Sequence, residues 1–284
     1  MRVVSWNIQW ARGCDGVVST QRIADVLRSR GGADVICLQE VARGFDSLPG
    51  LQGEDQVAQF AALFPDHQAV YAPGTDRLRH DGARMQFGNL TLSRRPVLAA
   101  WRHLLPWPAD ASVPSMQRAC AEAVIETAPG VCLRVLNTHL EYYSPTQRMT
   151  QIDALRTLNA EALGHARNPP SRRESSPAFA PAPRPAAGLL CGDFNCEPHS
   201  TEIRWLQAKG DDPEATWCDI QTHLHPGVAH ADTVGLHGCE WPDRAYCCDF
   251  AFATPALLPR VLSIGVDQDT AASDHQPLWV ELSD

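Results

Sequence analysis

Five short polar clusters mark the chain: Trp6-Asn7-Ile8-Gln9, Leu38-Gln39-Glu40-Val41, Asn137-Thr138-His139-Leu140, Gly192-Asp193-Phe194-Asn195 and Ser273-Asp274-His275-Gln276-Pro277. Each follows or interrupts an apolar run of the kind read as a buried strand. Carboxylates and imidazoles are costly to bury without partners, so five such tips in one chain point to a shared site. The residue types suit phosphoester hydrolysis, which must neutralise an anionic transition state, supply a nucleophile and assist a leaving oxygen. Glu40 and Asp274 offer the hard oxygens that Mg²⁺ prefers alongside several waters. Asp193 and Asn195, two apart on a locally extended segment, can face one phosphate. His139 and His275 can donate to an oxygen that gains negative charge. Plainer readings exist for the same residues. Asn7 can cap a strand turn, Asp and Asn favour turns in general, and a lone histidine is usually structural, as we read His67, His103, His165, His223 and His225.

These residues need elements to hold them. Val3 to Asn7 reads as a first strand, and Ser19 caps a helix with Ile23, Val26 and Leu27 on one face. Val35 to Leu38 is a second strand. Asp55 to Phe64 is a second helix, with Val57, Phe60, Ala61 and Phe64 as its apolar stripe. Strands follow at Asn89 to Ser93, Val97 to Leu104, Ala119 to Glu126 and Val131 to His139. Pro145 suits the first turn of a long helix capped by Ser144, with Ile152, Leu155 and Leu158 inward. Leu189 to Cys191, Asp249 to Ala253, Arg260 to Val266 and Pro277 to Leu282 complete the strands. Periodicity alone gives an α/β or α+β fold with an antiparallel middle. Residues 167–187, with six prolines among Arg, Ser and Ala, read as a flexible, partly extended loop inside one domain spanning 1–284. The loop leads into the strand before Asp193, so it is expected on the face opposite the site, with no catalytic role.

In order and spacing, the five clusters resemble the endonuclease/exonuclease/phosphatase superfamily over Val3 to Val280, most specifically in Gly192-Asp193-Phe194-Asn195 and Ser273-Asp274-His275. The resemblance implies a four-layer α/β/β/α sandwich of two mixed β-sheets packed face to face, with helices outside. It further implies that Glu40 is the primary metal ligand with Asn7 beside it, and that Asp274 contacts the metal or the nucleophilic water. Asp193 would activate or orient the attacking water, Asn195 would supply amide donors and His139 would contact the phosphate. His275 would form a dyad with Asp249, since a carboxylate behind an imidazole fixes its tautomer and raises its pKa. Family members commonly flank this aspartate with an aliphatic residue and a tyrosine, where this chain has Cys248 and Phe250. Abasic-site endonucleases of the superfamily usually read Gln-Glu-Thr-Lys where this chain has Gln39-Glu40-Val41-Ala42, and their basic DNA-wedging loops have no counterpart here.

Composition bounds the rest. A chain of 284 residues with 44% hydrophobic content can bury a large core. No stretch reaches the roughly 18 apolar residues of a membrane span, and no apolar leader precedes Arg2, so the cytoplasm is the expected compartment. Ten cysteines in such a setting read as reduced thiols. A rival zinc site of His237, Cys239, Cys247 and Cys248 lacks a Cys-x-x-Cys knuckle. The net charge is −9, and Lys209 is the only lysine beside 23 arginines, which disfavours generic binding of duplex nucleic acid. Arg77, Arg79, Arg84, Arg94 and Arg95 form a candidate basic patch or simply a solvated face. Specificity would be written in Gly44 to Gly53, Tyr71 to Phe87, Trp101 to Met116 and His230 to Arg244, with Arg94, Tyr142 and Tyr143 as candidate substrate contacts.

The sequence thus reads as a Mg²⁺-dependent hydrolase, with Mn²⁺ as an alternative ion, that cleaves a phosphodiester or phosphomonoester by direct attack of an activated water. A DNA or RNA endonuclease or exonuclease of the same fold is one alternative. A catalytically silent binding module is another, although no site residue is missing. The substrate would be a nucleic acid or a small or lipid-linked phosphate, and no obligate protein partner is evident.

Overall fold

A computed structural model describes residues 1–170 and 176–283; residues 171–175 of the proline-rich loop, and with them that part of the loop expectation, lie outside the described residues. The strands are β1 (Arg2–Asn7), β2 (Val35–Arg43), β3 (Gln68–Leu78), β4 (Arg84–Ser93), β5 (Val97–Leu104), β6 (Ala119–Ala128), β7 (Val131–His139), β8 (Gly188–Asp193), β9 (Cys218–Asp219), β10 (Asp249–Ala253), β11 (Val261–Val266) and β12 (Leu278–Leu282). The main helices are α1 (Thr20–Ser29), α2 (Gln56–Leu63), α3 (Pro145–Arg167), α4 (Thr201–Leu206) and α5 (Ile220–Leu224). Helix starts follow local chemistry. The side chains of Ser19, Asp55 and Ser144 accept the backbone N–H groups of Arg22, Ala58 and Gln147, each cap contributing about 1 kcal/mol.

Two mixed sheets form, in the orders β11-β12-β1-β2-β4-β3 and β5-β6-β7-β8-β10-β9. Their inner faces meet through Val3, Val35, Cys37, Val135, Leu189, Ala251 and Val280. Ile23, Leu27 and Phe60 of α1 and α2 cover the outside of the first sheet on Val4, Ile36 and Leu38. Ile152, Leu155 and Ile203 of α3 and α4 cover the second on Leu136, Leu190 and Phe252. This is the four-layer sandwich that the resemblance implied.

Strand direction decides where the polar tips go. β1 runs parallel to β2, and β7 parallel to β8, so those C-terminal ends share one pole. β10 runs antiparallel to β8 and β12 antiparallel to β1. Their N-terminal ends therefore reach the same pole, and Asp249 stands opposite Asp193 in register. A buried amide network joins the two sheets below it. Gln39 Nε2 donates to Asn137 Oδ1 (2.7 Å), Asn137 Nδ2 to the Leu38 and Leu90 carbonyls, and Asn89 Nδ2 to the Ala119 carbonyl. Buried amide networks of this kind fix one arrangement of the sheets against alternatives.

The structure corrects two expectations. The Tyr71 to Phe87 loop is instead most of a β3–β4 hairpin, hidden from periodicity because its distal half is exposed and carries no apolar run. The thiols are not all free, because a disulfide joins Cys14 to Cys239 across 225 residues of sequence. These two lie on separate loops, so their pairing depends on the fold rather than on spacing. The short elements α4, β9 and α5 were also absent from the sequence reading, being too short to show a period. The described part of the proline-rich loop meets the end of β8 away from Asp193, where Pro185 O accepts from Arg134 Nε (2.7 Å).

Candidate active site

β2 changes path at the site pole. Its register with β4 shifts between Leu38 and Val41, and Glu40 adopts φ +59°. Left-handed backbone is uncommon for glutamate, and the bulge re-aims its side chain toward the pole. On β8, Gly192 (φ +146°) lies so close to β7 that a Cβ would collide with the Thr138 carbonyl oxygen. Only glycine fits there, and the contact seats Asp193 beside His139 in register. Asn195 (φ +50°) turns the chain back, and its N–H donates to Asp193 Oδ1 at 2.8 Å.

The five polar tips converge. Asn7 Nδ2 donates to Asp193 Oδ2 at 2.9 Å and to Glu40 Oε1 at 3.1 Å, so one amide links the two sheets' carboxylates. Gln9 Nε2 donates to Asp274 Oδ2 (2.7 Å), and Ser273 Oγ holds Asp274 Oδ1 at 3.1 Å. His139 Nε2 lies 3.4 Å from Asp193 Oδ2 and 2.9 Å from Asn195 Nδ2. His275 Nδ1 meets Asp249 Oδ2 at 2.8 Å, and its Nε2 faces Asp193 Oδ2 at 3.7 Å. Trp6 Nε1 donates to the His275 carbonyl (2.9 Å) and fixes that loop. The expected His275–Asp249 pair is therefore present in the geometry.

Burial and charge set the protonation states. Burial, reinforced by the Asp274 carboxylate, pushes Glu40 up to about 7 against the Asn7 hydrogen bond. Burial also raises Asp274 and Asp249. Burial and the Arg118 cation push His139 down to about 3, which leaves it neutral. His275 goes the other way: burial opposes its charge, but Asp249 and Asp193 together hold the imidazole well above its usual value. Asp193 is held below the usual carboxylate range despite burial, by its two imidazole neighbours and the Asn7 and Asn195 donors.

Tyr142 and Tyr143 line a cavity of about 640 Å³ beside Asn195, with Arg148, Glu197, Trp241 and Arg244. The Tyr142 ring stands edge-on to Tyr143 (4.7 Å) and to Trp241 (5.8 Å). Arg94 is not there. It pairs with Asp34 (2.7 Å) at the opposite pole, because β4 runs antiparallel to β2 and ends where β2 begins. Nor do the arginines form one patch: Arg79 pairs with Asp81, Arg84 with Asp76, and Arg95 lies 3.8 Å from Asp34. The rival zinc set also separates. Cys239 is in the disulfide, His237 Nε2 faces the Gln268 carbonyl, and the Cys247 thiol meets the Asp249 carbonyl.

Sequence reading missed several neighbours. Arg118 lines a small cavity with Glu40 and His139 and lies 3.4 Å from Glu141. Gln9, whose residue type alone suggests no role, holds Asp274. Asn137 and Asn89 hold the sheets beneath the site. Alternation along β7 puts Asn137 on the same strand face as His139, a signal that was available; Arg118 offered none.

The sequence model of the Endonuclease/Exonuclease/phosphatase family matches residues 4–275, and the chain belongs to that family. Its members are hydrolases that act on phosphoester bonds. No curated protein sequence matches the chain. Among solved structures, it is similar to an endonuclease/exonuclease/phosphatase from Beutenbergia cavernae, with TM-score 0.70 and 23% identity over 100% of this chain and 72% of that one. A mannosyl-6-phosphatase from Bacteroides thetaiotaomicron gives 0.66 and 16% over 100% of both chains. A 3′ phosphatase from Neisseria, bound to a product DNA hairpin, gives 0.63 and 18%, also over 100% of both. At these identities the likeness is one of fold. Among the described residues, no helix is long and apolar enough to cross a membrane.

Proposed function

We propose that the chain is a Mg²⁺-dependent phosphoesterase that hydrolyses a phosphodiester by direct attack of water. The observation that carries this reading is the convergence of Asp193 on His139 (3.4 Å) and His275 (3.7 Å), with the Asn7 amide joining it to Glu40. Glu40 and Asp274, with the Asn7 amide, form an oxygen donor set of the hard kind that Mg²⁺ takes. The Asp274 carboxylate, which helps to raise Glu40, adds the negative charge that a divalent cation would offset, and Mn²⁺ suits the same donors. When bound, the ion would neutralise charge on the phosphoryl oxygens.

The protein groups then divide the work. Asp193, held ionised by its neighbours, accepts a proton from the attacking water and orients it. Asn195 offers its amide to a phosphoryl oxygen. His139, neutral without substrate, is drawn toward its charged form by an arriving phosphate and then donates to it. His275, held charged by Asp249, donates where negative charge accumulates in the transition state.

The net charge of −9 and the pairing of the basic-patch arginines Arg79, Arg84 and Arg94 with carboxylates favour a small or lipid-linked phosphate over duplex DNA. The test is Mg²⁺-dependent release of nitrophenol from bis(4-nitrophenyl) phosphate, run beside nicking of supercoiled plasmid at low salt, with Asp193→Asn as the blank. Turnover of the small diester by wild type alone supports the reading. Plasmid nicking by wild type alone, at a rate exceeding the small diester, would replace it with the nuclease alternative. Equal rates for wild type and Asp193→Asn on either substrate would overturn the site assignment.

A further inference from the structure

Cys248 has no part in the chemistry above, yet it lies against the catalytic dyad. Its Sγ is 3.6 Å from Asp249 Oδ2 and 4.0 Å from His275 Nδ1. One ligand atom each from Asp193, Cys248 and His275 fall within 4.8 Å of one another, and all three residues are buried. Asp249 Oδ1 is also buried and makes no hydrogen bond. Nearby Thr233 Oγ1 accepts the N–H groups of Cys248 and Asp249 (3.1 Å each).

We propose that Cys248, Asp193 and His275 form a second cation site, selective for a thiophilic ion such as Zn²⁺ or Cd²⁺, and that filling it stops hydrolysis. Ligand atoms at roughly 2.0–2.3 Å from a tetrahedral ion stand about 3.3–3.8 Å apart, so small side-chain shifts from the observed spacings complete three ligands. Water completes the fourth position. The donor set is sulfur, nitrogen and oxygen, which suits zinc and cadmium and not magnesium. Glu40, Asn7 and Asp274 present only oxygen and amide donors. The two sites therefore sort ions by softness, and they meet at Asp193. An ion held by Cys248 takes the Asp193 carboxylate and a His275 nitrogen from the reaction. The inhibitory effect rests on the proposed function, whereas the binding does not.

The experiment titrates metal-free wild type, Cys248→Ala and Cys248→Ser with Cd²⁺, following the thiolate-to-metal absorption band. Wild type should gain a saturable band at one equivalent, and both variants should lose it. Either variant keeping the full band would place the ion on another cysteine and overturn the site, as would wild type without a band. The magnesium-driven diesterase assay then takes increasing Zn²⁺. Half-inhibition should require at least tenfold more Zn²⁺ in Cys248→Ser than in wild type, and equal values would overturn the inhibitory role. If wild type shows the band but hydrolyses no diester in Mg²⁺, the proposed function fails and the cation site stands.

Discussion

Two glutamates in this molecule, one buried and one half-buried, behave in opposite ways. Glu122, on β6 beneath α3, is fully buried, with His103 at 2.7 Å and Arg134 and Arg184 each at 3.5 Å. Burial opposes its charge, but those partners hold it below its usual value. Arg134 is equally buried and spends its other donors on Asn159 Oδ1 and the Pro185 carbonyl. Glu40 has one amide donor, a like-charged neighbour in Asp274, and is pushed up to about 7. The first is a closed network that holds layers together. The second sets one carboxylate beside another, the pair proposed above to hold a cation. Burial of charge alone therefore does not mark a functional site; burial without neutralisation does.

The largest test of that contrast is chemical. Asp193→Asn should lower kcat by about a thousandfold or more, roughly 4 kcal/mol of barrier, with the melting temperature nearly unchanged. A matching loss of stability would mean that Asp193 is structural after all. Arg134→Ala should do the reverse. It leaves Glu122 buried beside fewer cations and should cost about 3–5 kcal/mol in urea unfolding, with the rate per folded molecule retained. An intact urea midpoint would dissolve the distinction between the two glutamates.

A smaller effect should follow pH. The folded-state pKa of Glu40 lies above its unfolded value, so the proton it holds stabilises the metal-free protein. That contribution is fully present below about pH 4.5 and is lost as pH rises through about 7, at most about 3 kcal/mol. Scanning calorimetry from pH 5 to 8 without metal should show this decline in wild type and a flatter one in Glu40→Gln. Saturating Mg²⁺ should restore the wild type alone. An equal Mg²⁺ shift in Glu40→Gln would remove Glu40 as the ligand. The smallest effect belongs to the aromatic cavity: Tyr143→Ala should raise KM a few-fold, about 1 kcal/mol, at constant kcat. A change in kcat alone would move Tyr143 into the reacting centre.

The candidate residues that gather at one pole share one physical property. Asn7, His139 and Asp193 end parallel strands that read as apolar runs, Glu40 lies at the bulge of another, and Asp249 and Asp274 stand where antiparallel strands begin or are about to begin. A local pattern reports such positions well. Arg94 failed because a strand's end is visible locally and its direction is not, and β4 runs the other way. Cys14 and Cys239, Arg118, and the approach of Cys248 to His275 depend on contacts between distant segments, which no window of sequence contains.

The left-handed turn at Glu40 has a practical consequence for anyone evolving this protein. Glutamate at φ +59° carries a backbone penalty of about 1–3 kcal/mol in addition to its uncompensated charge. Glu40→Gly relieves both at once. A library ranked only by heat resistance should therefore enrich replacements at position 40, and with Glu40 as the proposed metal ligand its winners would be sturdier and inert. Directed evolution of this scaffold has to select on turnover from the first round, or hold that codon fixed.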